Sequence, residues 1–172
     1  MKQLTFTLLL LSLTLVPISA YAQVSDSTIT DLSTLENFKR GSAHLSAAQP
    51  SAEHLQLLAR QGVTAVINFR DDALPEEASW ATSAGMAYYH IPVSGGDQLS
   101  RENVAQLDQV LRALDGQQAL LHCSSGNRAA AMLTLHAAWY QGADAEQALA
   151  IGQHHGLDSE ALLQRLQELL KP

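Results

Sequence analysis

The chain is poor in cysteine: among 172 residues there is one, Cys123. No internal disulfide is available, so a free thiol is either protected by burial or kept for chemistry. Basic side chains are also scarce, 10 Lys and Arg against 17 Asp and Glu, for a net charge of −7. This balance argues against nucleic acid or an anionic membrane as a general partner. It also disfavours a broad surface for polyanions, although one local arginine can still capture a small anion. There is no internal repeat and no low-complexity tract. Long apolar runs are missing except at the start, where Leu4 to Val16 follows Lys2 and is broken by Pro17. With Ala20-Tyr21-Ala22 as a small-x-small cleavage site, residues 1–22 read as a secretory signal peptide, too short for a comfortable membrane span. No cysteine lies near the cleavage point, which excludes a lipoprotein anchor. The expectation is a bacterial protein exported to the periplasm or beyond, with no stable membrane insertion after cleavage. The mature chain would begin at Gln23, in a length that suits one compact domain.

Residues 23–36 are polar and without periodicity, and read as a poorly ordered arm. From residue 37 to 172 strand and helix patterns alternate. A first strand falls within Asn37 to Ser46. Ser51 is placed to cap a helix carrying Leu55 and Leu58, stopped by Gly62. Val63 to Phe69 is a continuous apolar run, as in a strand covered on both faces. Arg70-Asp71-Asp72 follow it, and with Glu76 they read as a charge cluster at the start of a helix that ends at Gly85. A strand over Tyr88 to Val93 leads to Ser94-Gly95-Gly96-Asp97. Ser100 caps the next helix, and a strand from Gln118 to His122 feeds the cysteine. A helix from Ala129 to Tyr140 is apolar on nearly every side. Asp144 with Gln147 resembles a capping box, and a Leu-rich helix closes the chain. This alternation predicts an α/β fold with three layers, a central, mostly parallel sheet flanked by helices.

The chemistry concentrates in His122-Cys123-Ser124-Ser125-Gly126-Asn127-Arg128. Unpaired N–H groups at a helix N-terminus attract anions. Gly126 lets the loop curl so that these groups converge. Arg128 can grip an oxyanion with two parallel hydrogen bonds. The same field lowers the pKa of a cysteine so placed, to about 3.5–7.5. Cys123 is thus expected to be a thiolate nucleophile in an anion cradle made by Ser124, Ser125, Gly126, Asn127 and Arg128. His122 is expected to orient the loop by a hydrogen bond. Asp97 is the candidate general acid, in a loop that could swing over the cradle.

The His-Cys-x-x-Gly-x-Arg stretch resembles the phosphate loop of cysteine-dependent phosphatases. Gln49-Pro50-Ser51, Val66 to Arg70, Gly85 to Val93 and the Cys loop are similar, in order and spacing, to the bacterial dual-specificity-phosphatase-like family. That family includes the phosphatase-like domain of beta-lactamase-hydrolase-like proteins. The resemblance spans residues 37 to 156 and implies hydrolysis of a phosphate monoester through a cysteinyl-phosphate, with a small anionic or phosphorylated substrate and no cofactor. Three departures stand out. Four residues, not five, separate Cys123 from Arg128, as in rhodanese-like loops. Ala129 replaces the hydroxyl residue that usually follows the arginine, a place Ser124 or Ser125 could fill. Ser94-Gly95-Gly96 occupies the natural general-acid position, with Asp97 a few residues late. Two alternatives therefore stay open: sulfur transfer through a Cys123 persulfide, and non-catalytic binding of an anion or phosphoprotein. His154-His155 cannot chelate alone, since adjacent helical residues point apart, and no metal site is expected. Trp80 and Trp139 read as packing.

Overall fold

The computed structural model describes residues 31–171. The expected signal peptide and residues 23–30 lie outside that range.

A short hairpin opens the fold. Strands β1 (Lys39–Arg40) and β2 (Leu45–Ala47) pair antiparallel, so the single strand expected over residues 37–46 is two. Helix α1 (Ala52–Arg60) starts at Ser51, whose hydroxyl accepts the His54 N–H while the His54 ring accepts the Ser51 N–H. This is a capping box with histidine in the place usually held by Glu or Gln. Strand β3 (Ala65–Asn68), helix α2 (Glu77–Ser83) and strand β4 (Ala87–His90) follow. Helix α3 (Arg101–Ala113) is capped by Ser100, and strand β5 (Ala119–His122) leads to the cysteine. Helices α4 (Asn127–Tyr140), α5 (Ala145–His154) and α6 (Glu160–Leu169) complete the chain. The expected capping box at Asp144 and Gln147 opens α5.

The sheet order is β1-β2-β5-β3-β4, with all pairs parallel except β1–β2. β5 is therefore central, between β2 and β3. Alternate residues serve opposite faces, as the period of two requires. Ala65, Ile67, Ala119, Leu121 and Cys123 enter one core with α3, α4 and α6, whereas Val66 and Leu120 enter the other with α1 and α2. Helices on both faces explain why β3 and β5 are buried at every residue and read as continuous apolar runs. The three-layer α/β architecture agrees with the sequence.

The polar arm needs correction where it is described. Asp31 caps a 3-10 turn at Leu32–Thr34, and Leu32 and Leu35 are buried in the α1 core. Two leucines at that spacing supply enough apolar area to dock a short turn, which a composition-based view of a polar segment misses.

Candidate active site

The loop Cys123–Gly126 joins β5 to α4 at the C-terminal edge of the parallel strands, where ligands bind in open α/β sheets. The helix begins at Asn127, not Ala129, so Asn127 and Arg128 belong to its first turn. Gly126 precedes it with φ +92, a conformation that costs glycine little. A Cβ there would stand 2.7 Å from Asn37 Nδ2, so both backbone angle and space require glycine.

Cys123 is fully buried, and its Sγ accepts the Gly126 N–H at 3.1 Å. Burial pushes the thiol pKa up. The N–H groups of Ala129, Ser125 and Arg128, with the Arg128 charge, outweigh it and leave the thiol below its ordinary value. An electropositive helix start thus surrounds the sulfur, as a reactive thiolate needs. The Arg128 guanidinium spans the mouth of the loop. Nη1 donates to the Val93 carbonyl at 2.7 Å and to Asp71 Oδ1 at 3.2 Å, and Nη2 donates to Ser124 Oγ at 2.9 Å.

The residues expected to form the cradle divide into two groups. Ser124, Ser125, Gly126 and Arg128 ring the sulfur or its mouth. Asn127 turns its side chain away: its Oδ1 accepts the N–H groups of Asp158 and Ser159 at 2.9 and 2.8 Å, and its Nδ2 donates to Asp158 at 2.8 Å. Of Asn127, the backbone rather than the side chain is left to the cradle in which the sequence places it. Asn37 makes a parallel tie, donating from Nδ2 to Ser125 O and Gly156 O. Asp97 lies exposed in a 3-10 turn, Gly96–Gln98, that leans on Arg165 of α6. Among the described residues it has no hydrogen bond or ion pair to the loop.

Two further acidic residues reach the site. Asp71, expected in a helix-start cluster, instead pairs with Arg128. The turn after β3 projects it across the sheet edge, while Arg70 and Asp72 pair with each other at 2.9 and 2.7 Å. Glu77 is fully buried in the first turn of α2 and meets the His122 ring, Nε2 to Oε1 at 2.6 Å. Strand-end placement hinted at Asp71. Nothing distinguished Glu77 from an ordinary acidic residue in a helix's first turn.

A cavity of about 690 Å³ lies elsewhere, lined by Arg40, His44, His136, His154 and His155 among others. No three histidine, cysteine or carboxylate side chains among the described residues converge as a metal ion would require. No helix of the described residues is long and apolar enough to cross a membrane.

A central cysteine on a strand-to-helix loop, ringed by N–H groups and closed by an arginine, defines the cysteine-dependent phosphatase class. The chain belongs to the family described as DSP-PTPase phosphatase fused to NAD+ kinase, whose model matches residues 14–167. Solved structures agree. A DUF442 protein from Shewanella putrefaciens CN-32 is 28% identical, with a TM-score of 0.65 over 79% of this chain and 87% of that one. TpbA of P. aeruginosa is 25% identical, with a TM-score of 0.64 over 78% and 83%. A cysteine-to-serine form of TpbA solved with pTyr is 24% identical, with a TM-score of 0.63 over 77% and 81%, a likeness of fold. No curated protein matches this chain. The protein is thus a cysteine-dependent phosphatase of the tyrosine and dual-specificity type, and nothing in these likenesses supports sulfur transfer.

Proposed function

We propose that the chain is an exported phosphatase that hydrolyses phosphate monoesters on a phosphorylated substrate, with Cys123 as nucleophile and Arg128 as the phosphate clamp. The observation that carries this is the buried Sγ at the start of α4, with its pKa lowered by backbone N–H groups and Arg128. The thiolate attacks phosphorus and the bond to the ester oxygen breaks. The departing oxygen takes a proton from a carboxylic acid. Water then attacks phosphorus, the S–P bond breaks, and inorganic phosphate leaves with the thiolate restored. Preorganised N–H donors suit this chemistry, since positioning and electrostatics supply most of its catalysis. The short loop is compatible with it, because α4 starts two residues early, at Asn127, and so carries Arg128 in its first turn. Ser124, whose Oγ accepts from Arg128 Nη2 in the same loop, is the hydroxyl we assign to the role left open at Ala129.

The complex of the TpbA variant with pTyr supports a phosphorylated substrate of that kind. The apolar run from Leu4 to Val16 supports export. Mass spectrometry of acid-quenched protein, after incubation with a phosphoester or with thiosulfate, tests the reading. A phosphoryl adduct on Cys123 is expected from the first and no persulfide from the second. The reverse pattern overturns the phosphatase reading. Intact mass of protein from the cell envelope should show a chain beginning at Gln23, and an uncut N-terminus would remove the export proposal.

A further inference from the structure

The peptide that joins Ser125 to Gly126 is held from both sides. Its N–H, on Gly126, donates to Cys123 Sγ at 3.1 Å, and its carbonyl, on Ser125, accepts from Asn37 Nδ2 at 3.1 Å. The C=O and N–H of a trans peptide point in opposite directions. The bond that Asn37 makes outside the loop therefore fixes which end of this peptide faces the sulfur inside it.

That orientation needs a hold. Gly126 has φ +92, and glycine takes positive and negative φ about equally readily. The residue that lets the loop curl thus also lets the peptide before it swing over. Swung over, the peptide would aim a carbonyl dipole at the thiolate and take one N–H donor out of the cradle. Ser125 is exposed, and among the described residues no other group donates to its carbonyl.

Asn37 is built for this task. Its Nδ2 carries two hydrogens, and the second serves the Gly156 carbonyl at 3.0 Å. The backbone around it is fixed. Leu35 is buried, the Glu36 carbonyl accepts the Ala48 N–H at 2.9 Å, and β1 begins at Lys39. Asn37 itself sits at φ +49, in a region that asparagine enters more readily than most residues. A Cβ on Gly126, or on Gly156 at φ +86, would run into its amide. The amide therefore fills a slot between the cysteine loop and the α5–α6 connection.

We propose that Asn37 is a positioning residue for this phosphatase: it keeps the Ser125–Gly126 peptide turned with its N–H toward the sulfur. The proposal rests on the phosphatase reading above.

The test compares the native chain with Asn37→Gly, because glycine keeps a positive φ without strain and removes both donors. Three quantities are measured: the Gly126 amide proton shift in 15N-labelled protein as Cys123 is titrated, kcat and KM for para-nitrophenyl phosphate, and a thermal melt. In the native chain the Gly126 proton is expected to move downfield as the thiolate forms. In Asn37→Gly that response shrinks and kcat falls about tenfold, short of the 10²–10³-fold loss when an oxyanion-hole donor is removed outright. KM changes little. A lower melt with kcat and the Gly126 response unchanged overturns the proposal, since the tie then serves stability alone. A fall in kcat with the Gly126 response intact also overturns it. If Asn37→Gly does not fold, Asn37→Ser, whose hydroxyl is too short to reach both carbonyls, is read by the same two measures. A Gly126 proton in the native chain that ignores the Cys123 titration overturns the proposal without any variant. A native chain that hydrolyses nothing would sink the phosphatase reading instead, and the Gly126 response would still report on the peptide.

Discussion

At the scale of single residues, the open role is that of the proton donor. Two carboxylates compete. Asp97 is exposed and, among the described residues, unpaired, in a turn that leans on α6. Asp71 touches Arg128 and so stands at the mouth of the loop, with about half of its side chain exposed. An exposed pair of this kind contributes little to stability, about 0–1 kcal/mol, so its interest is positional. A carboxylate held by the phosphate clamp occupies the guanidinium that substrate needs, which favours Asp97 as the donor and Asp71 as a ligand that substrate displaces. Asp97→Asn is then expected to slow an alkyl phosphate by about 10²–10⁴-fold. An aryl phosphate, whose leaving group needs less help, should slow far less. Asp71→Asn should mainly alter KM on both substrates. If the alkyl-selective loss appears with Asp71→Asn instead, the two roles exchange. The sequence pointed to Cys123, Gly126 and Arg128 because their chemistry is local. It did not reveal Glu77, because its partner, His122, lies on a strand distant in the chain.

At the scale of elements, helix α4 and its fastenings decide how firmly the loop is held. The helix is buried from Ala129 through Ala137, which leaves it one position between sheet, α3 and α5. Its first turn is then tied to the α5–α6 connection by the three Asn127 hydrogen bonds. Asn37, at φ +49, reaches both the loop and Gly156. Hydrogen bonds of this kind contribute about 0.5–1.5 kcal/mol each, and an orphaned buried partner costs more. Asn127→Ala is expected to lower stability by about 1–3 kcal/mol in urea titration and to reduce kcat several-fold, because the loop loses its far anchor. A variant with lower stability and unchanged kcat would show that the tie serves the α5–α6 turn alone. The helix-start error came from the same source: Asn127 and Arg128 are polar in an otherwise apolar run, and only their contacts show that they are helical.

At the scale of the whole molecule, the histidines make stability depend on pH. His155 is buried, with its Nδ1 against the Ser46 hydroxyl at 2.8 Å. Burial, then the neighbouring His154 and His44 charges, push its pKa down from 6.5 to about 4. Burial, foremost, also lowers the pKa of His44, His54 and His136. Below about pH 6.5 the unfolded chain takes up a proton that the folded chain refuses, so stability falls as pH drops toward 4 and is level above 7. Between pH 7 and pH 5, His155 alone should remove on the order of 1–2 kcal/mol. Urea titration at the two pH values measures the loss, and His155→Asn should reduce it. An equal loss in that variant would assign the effect to the other three histidines.

The sequence by itself determined the α/β class, the central strands, the helix caps and the cysteine loop. Each follows from interactions within a few residues: apolar runs, a hydroxyl or carboxylate that accepts from the N–H three positions on, a glycine that must curl. Tertiary structure alone decided that Glu77 meets His122, that Asp71 meets Arg128, and that Asn127 faces the α5–α6 connection. These partners come from different strands and helices. The parallel β3–β5 register, Asn68 opposite His122, brings them to one edge of the sheet. Charge and hydrogen-bond capacity are visible along a chain, but the partner that uses them depends on how the elements pack.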